Sequence, residues 1–102
     1  MENETYVQGD VVLRRVGRIP EGKELSHLVI AEGELTGHKH VVVGDAVLFE
    51  GDDGNLFVSV RRDGARLTHP EHPPLTLQPA NYKVITPREY DHFAEEAREV
   101  KD

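Results

Sequence analysis

The sequence predicts an all-β fold, a small β-barrel or sandwich, with one C-terminal α-helix. Three observations carry this expectation. From Tyr6 to Ile85 the apolar residues come in short runs divided by Gly, Pro and Asp, the rhythm of strands and turns. Leu56–Arg62 alternates, with Leu56, Val58 and Val60 on one face, the period of a half-buried strand. After Thr86 the apolar spacing becomes helical. A chain of 102 residues suits one domain. Residues 1–5 are expected to fray, residues 6–86 to form the β-unit, and residues 87–102 to pack on it as an amphipathic helix.

Each element has its own signal. Val11-Val12-Leu13 makes the first strand, entered through Gly9-Asp10. Pro20-Glu21-Gly22 is a turn, and Leu28–Ala31 is a continuous apolar run, the pattern of a strand buried on both faces. Thr36–Val43 and Ala46–Glu50 are further strands, separated by Gly44-Asp45. Asp52-Asp53-Gly54-Asn55 is a hairpin loop. Asp63-Gly64 reads as a second, two-residue turn of the type I′ kind. That turn would pair Arg62 with Ala65, Val60 with Leu67, and Val58 with His69, and would turn His69 inward because paired residues share a face. Prolines 70, 73, 74 and 79 make the next stretch a stiff, irregular loop, and Tyr82–Ile85 is the last strand.

Thr86-Pro87-Arg88-Glu89 forms a capping box with Pro at the first helical position. Tyr90, Phe93, Ala94, Ala97 and Val100 then line one side of the helix at helical spacing, and charged residues line the other.

Composition removes several functional classes. Apolar residues at 37% and charged residues at 30% are too apolar for a disordered chain and ordinary for a folded one. The chain has no cysteine, which excludes disulfides, thiolate metal ligands and thiol catalysis, and fits a cytoplasmic location. No apolar run approaches the roughly 18 residues of a membrane span, and no leader pattern opens the chain, so no membrane association is expected. Nineteen acidic residues against twelve basic ones give a net charge of −7, the wrong balance for neutralising a phosphate backbone, so no nucleic-acid partner is expected. The clusters Arg14, Arg15, Arg18 and Arg61, Arg62, Arg66 read as charged strand faces that protect edges.

Histidine is the one residue type in excess, with six in the chain. His38-Lys39-His40 places two imidazoles on one side of a strand, about 6.6 Å apart along it. His69-Pro70-Glu71-His72 carries an inward His at a strand end and a second one on a proline-stiffened loop. His38, His40, His69 and His72 are therefore the candidate metal ligands. Imidazole suits Zn, Fe, Ni and Cu alike. Three histidines with an open position make a catalytic geometry, and four come nearer to a closed one. Glu34, Asp45 and Glu71 are candidate carboxylate ligands or orienters of imidazole N–H groups. The plainer reading of the same residues is polar, pH-responsive histidine. His27 and His92 have no neighbour in sequence and read as surface residues.

Gly33, His38, His40 and Asp45 resemble a loose form of the first cupin motif, with a glycine-to-His spacing one residue short and Asp in place of Glu. That resemblance implies a cupin-like barrel with an inward metal and oxygenase or isomerase chemistry. Gln8-Gly9-Asp10 also resembles the opening of β-clip barrels. A fuller resemblance runs through Gln8-Gly9-Asp10-Val11, Gly33–His40, Thr68–His72 and the two blocks Tyr82–Val84 and Arg88–Asp91. These blocks are similar to a family of small uncharacterised bacterial and phage-associated proteins, which implies that the histidine blocks belong to one unit and lends no activity. Two functions of different class follow from the sequence. One is a histidine-cluster metal site, with metal-dependent chemistry on a small molecule. The other is a metal-free β-module that binds a protein partner or a second copy of itself.

Overall fold

Asp53-Gly54 lies at the tip of the hairpin around which the chain is organised. Gly51 N–H donates to Asn55 O at 2.8 Å, and Gly54 N–H donates to Gly51 O at 2.9 Å. Asp53 Oδ1 accepts the Asn55 N–H at 3.1 Å, the local bond by which Asp favours turns. Gly54 takes φ 86°, open to glycine at little cost. The computed structural model describes residues 5–32 and 37–85. Its strands are β1 (Thr5–Gln8), β2 (Val11–Val16), β3 (Gly22–Leu25), β4 (Val29–Glu32), β5 (Lys39–Gly51), β6 (Leu56–His69), β7 (His72–Leu77) and β8 (Ala80–Ile85).

All eight strands belong to one antiparallel sheet. Its main path runs β1-β2-β8-β6-β5-β3, while β4 pairs with β5 and β7 with β6. The two long strands serve both halves. The end of β5 nearest the hairpin pairs with β3 and the far end with β4. Likewise β6 gives its first half to β8 and its second to β7. The sheet bends around one core of Val11, Leu13, Val42, Leu48, Val58, Leu67, Leu77, Tyr82 and Val84, all essentially inaccessible. In the second half of β6, Ala65 and Leu67 are buried on either side of exposed Arg66, because a pleated strand points successive side chains to opposite faces, while Phe57–Val60 in its first half are buried on both faces.

The all-β expectation holds across the described residues, and the closed architecture does not. The hydrogen-bonded path is open, ending at β1 and β3. It is neither a cupin-like or β-clip-like barrel nor a sandwich of two sheets. Bending within β5 and β6 replaces closure. The ladder between them shifts register between Gly44 and Ala46, and a bulge of this kind bends and twists the strand.

Asp63-Gly64 is not a hairpin turn. β6 continues past it, and Val58 lies opposite Leu48 and Tyr82 rather than His69. The turn at Gly51–Asn55 gives both ends of β6 a partner in β5, so reversing at Gly64 would forfeit nearly half of that ladder. Gly64 still uses a positive φ, 78°, but spends it on the bend. Asp45 Oδ2 accepts the Asp63 N–H at 3.2 Å across the same irregularity.

The expected proline loop also contains a strand, β7. It lies off the main path of the sheet, a place where prolines without N–H groups are tolerated. Thr5 opens β1 rather than fraying. The helix expected over residues 87–102 and its Thr86 cap lie outside the described residues. Among the described residues no helix is long and apolar enough to cross a membrane.

Candidate functional site

Strand pairing brings three histidines into one row. Val41 pairs with Thr68, so His40 and His69 are the next neighbours across β5 and β6. His69 pairs with His72 across the β6–β7 turn, which Pro70-Glu71 makes in two residues. Ring centroids of His40 and His69 are 4.3 Å apart, those of His69 and His72 are 4.6 Å apart, and those of His40 and His72 are 6.2 Å apart. The three rings thus form a corner rather than a line. His38, just before β5, sets its ring edge-on to His69 at 5.7 Å. The rings of His38, His40, His69 and His72 thus lie in one group of neighbouring imidazoles.

The β1–β2 turn closes one side of the row. Gln8 and His40 are both buried, 3% and 4% exposed. Gln8 Oε1 lies 3.0 Å from His40 Nδ1. Gln8 Nε2 donates to Leu67 O and to Pro73 O, each at 3.0 Å. His40 Nε2 lies 3.8 Å from Asp10 Oδ1. On the other side, His38 Nδ1 is 3.5 Å from Glu71 Oε1. Glu71 N–H donates to His69 Nδ1 at 3.0 Å. His40's pKa lies below its ordinary value: burial is the main cause, the charge on His69 adds to it, the Asp10 carboxylate opposes it, and the charge on His72 adds a further lowering.

An open cleft of about 530 Å³, lined by Gly37, His38, Lys39, Val41, Thr68, His69 and Pro70, reaches the cluster at its His38–His69 end. A larger groove of about 980 Å³ contains no histidine; Lys23 and Arg61 share it with Glu21, Glu50 and Asp52, a mixed charge that selects no ligand.

Of the expected carboxylates, Glu71 is at the site. Asp45 is not: it sits five residues along β5 from His40, roughly 16 Å at strand rise, and accepts the Asp63 N–H instead. Glu34 lies outside the described residues. His27 is a surface residue as expected, with its Nδ1 accepting the Val29 N–H at 3.1 Å. Sequence reasoning missed Gln8 and Asp10 as site residues. Their only signal was the Gln8-Gly9-Asp10 block, and nothing in it names a partner some 30 or 60 positions away.

Four imidazoles are a donor type that Zn, Fe, Ni and Cu all accept. At a metal–nitrogen distance of about 2.1 Å, two coordinated imidazoles at tetrahedral angles have centroids about 5.2 Å apart. The observed separations of 4.3–6.2 Å straddle that value. Among the described residues, no group of three or more His, Asp or Glu side chains is placed so that it could hold a metal ion, so coordination would require the rings to turn. For His69 that turn gives up the bond from Glu71 N–H.

No curated protein and no solved structure matches the chain. A family model does, over residues 7–87, which takes in all eight residues of the cluster and its surround: Gln8, Asp10, His38, His40, His69, Glu71, His72 and the intervening Gly9. The chain belongs to this family, described as a domain of unknown function (DUF8820).

Proposed function

We propose that the protein binds a divalent transition metal through His40, His69 and His72, with His38 joining from the end of the row. The observation that supports this reading is the cross-strand row itself. Three neighbouring strands each contribute one inward imidazole at the same level, with centroids 4.3 and 4.6 Å apart between neighbours. A row of imidazoles is a poor device for stability alone, because it packs groups that repel one another once protonated. A metal removes that repulsion by holding them neutral. Zn, Fe, Ni and Cu all accept imidazole.

Three ligating histidines leave a coordination position for water or a small molecule. The cleft beside His38 and His69 gives a small molecule a path to it. In this reading the protein carries metal-dependent chemistry on a small molecule, with Glu71 and Asp10 flanking the ion as carboxylates.

The test is thermal denaturation of chelator-treated protein with and without added Zn²⁺ or Fe²⁺, beside the double variant His40→Ala/His69→Ala. The wild type should gain stability with metal, by about 2.7 kcal/mol at a hundredfold excess over Kd, and the variant should not respond. A wild type that ignores every metal, or a variant that responds equally, overturns the reading in favour of a metal-free β-module.

A further inference from the structure

The side chain of Gln8 decides which nitrogen of His40 carries the proton. A carboxamide has two N–H donors on nitrogen and only acceptor sites on oxygen. Leu67 O and Pro73 O both lie 3.0 Å from one end of Gln8, and carbonyl oxygens can only accept. That end must be the NH₂ group. The other end, Oε1, then faces His40 Nδ1 at 3.0 Å. Oε1 can only accept, so Nδ1 must donate. A neutral imidazole has a single N–H, and the lone pair is left on Nε2.

We propose that Gln8 is a positioning residue that holds His40 in its Nδ1–H tautomer and makes Nε2 the basic nitrogen it offers to the histidine cluster. This deepens the metal reading, in which Nε2 is the ligand atom: a coordinating imidazole commonly donates its other N–H to a neighbouring acceptor, which fixes its orientation.

The arrangement is held from several strands at once. Gln8 ends β1, Leu67 lies on β6, Pro73 on β7 and His40 on β5. Pro73 and Pro74 supply no N–H to the β6–β7 ladder, and the register shifts there, between Leu67 and His69. The Gln8 amide takes up carbonyls in that irregular stretch. With Gln8 only 3% exposed, turning its amide over would set its oxygen against two carbonyl oxygens in a site with little access to water. That cost is what enforces one tautomer.

The test is the ¹⁵N spectrum of the imidazoles in chelator-treated protein near pH 8, where the tautomers are read directly and without metal. His40 should show a protonated Nδ1 and an unprotonated Nε2. In Gln8→Met, which keeps the length of the side chain and loses the acceptor, His40 should shift toward the Nε2–H form, and Zn²⁺ affinity should fall about 10–100-fold. A wild-type His40 protonated on Nε2 overturns the proposal, as does a folded Gln8→Met protein whose His40 keeps Nδ1–H. If Gln8→Met does not fold, the wild-type spectrum decides alone. A wild type with the Nδ1–H form and no response to any metal supports the tautomer lock while removing the metal reading, so the two failures are separate.

Discussion

Gly9 and His72 are in contact because Gly9 has no side chain. A Cβ at Gly9 would stand 2.8 Å from His72 Nε2 and 3.3 Å from His72 Cδ2, closer than packed atoms allow. Gly9 also takes φ 61°, a region costly for other residues. The turn that carries Gln8 and Asp10 to the histidine row therefore needs glycine between them for two independent reasons.

Gly9→Ala should destabilise the protein by about 1–3 kcal/mol through backbone strain and should displace the His72 ring. Chemical denaturation reads the first effect, and the His72 imidazole resonances read the second. A stability loss with His72 unmoved would show that strain acts alone and that the turn does not press on the ring.

His40 predicts a pH dependence with a definite sign. Its folded pKa lies below the unfolded value near 6.5, so the unfolded state takes up the proton first. The stabilisation is present above about pH 6.5 and is lost as pH falls from there through the lower folded pKa. Each unit of depression corresponds to about 1.4 kcal/mol. Urea melts of metal-free protein from pH 7.5 to 5 should show stability falling, and His40→Gln should flatten the slope. An equally steep slope in that variant would place the titration elsewhere.

The bulge between β5 and β6 separates three glycines by context. A Cβ on Gly44 would meet Ala65 Cα and Gly64 O, both at 2.8 Å. Both are backbone atoms of β6, which cannot move aside as a side chain can, so Gly44→Ala should cost more than the 1–3 kcal/mol of strain alone. Gly64→Val meets only Leu77 O at 3.6 Å and should cost about that strain. Gly54→Asn, in open space at the hairpin tip, should cost least, since Asn tolerates this region. Melting temperatures in that order support the close approach of Gly44 to Gly64 and Ala65 at the irregularity. A Gly44→Ala protein as stable as the wild type would contradict it.

Within the cluster, His69 should matter most to metal binding, because it alone neighbours each of the other three rings at 4.3–5.7 Å. Isothermal titration with Zn²⁺ should show His69→Ala losing binding and His27→Ala unchanged. Retained affinity in His69→Ala would move the centre away from the row.

Several features were legible in the sequence because they depend on neighbours in the chain. Asp53-Gly54 marks a hairpin by local turn chemistry. The alternation from Leu56 to Val60 gives a strand and its buried face. The spacing of His38 and His40 places both on one side by the same rule. The face of His69 was not legible in this way: the period continued from Val60 leads to Thr68, and the phase changes in the irregular stretch between Val60 and Ala65, so that Ala65, Leu67 and His69 share a face. Pairing, by contrast, is a competition between distant segments. Asp63-Gly64 has the local chemistry of a turn, yet β5 offers β6 a longer ladder, and only the folded sheet shows which wins. Closure depends likewise on where β5 and β6 bend. The row of His40, His69 and His72 needs three strands in one register, and Gln8 reaches His40 across 32 positions and Leu67 across 59. Such contacts leave no periodic trace in the chain, because the sheet, not the sequence neighbourhood, sets which side chains stand side by side.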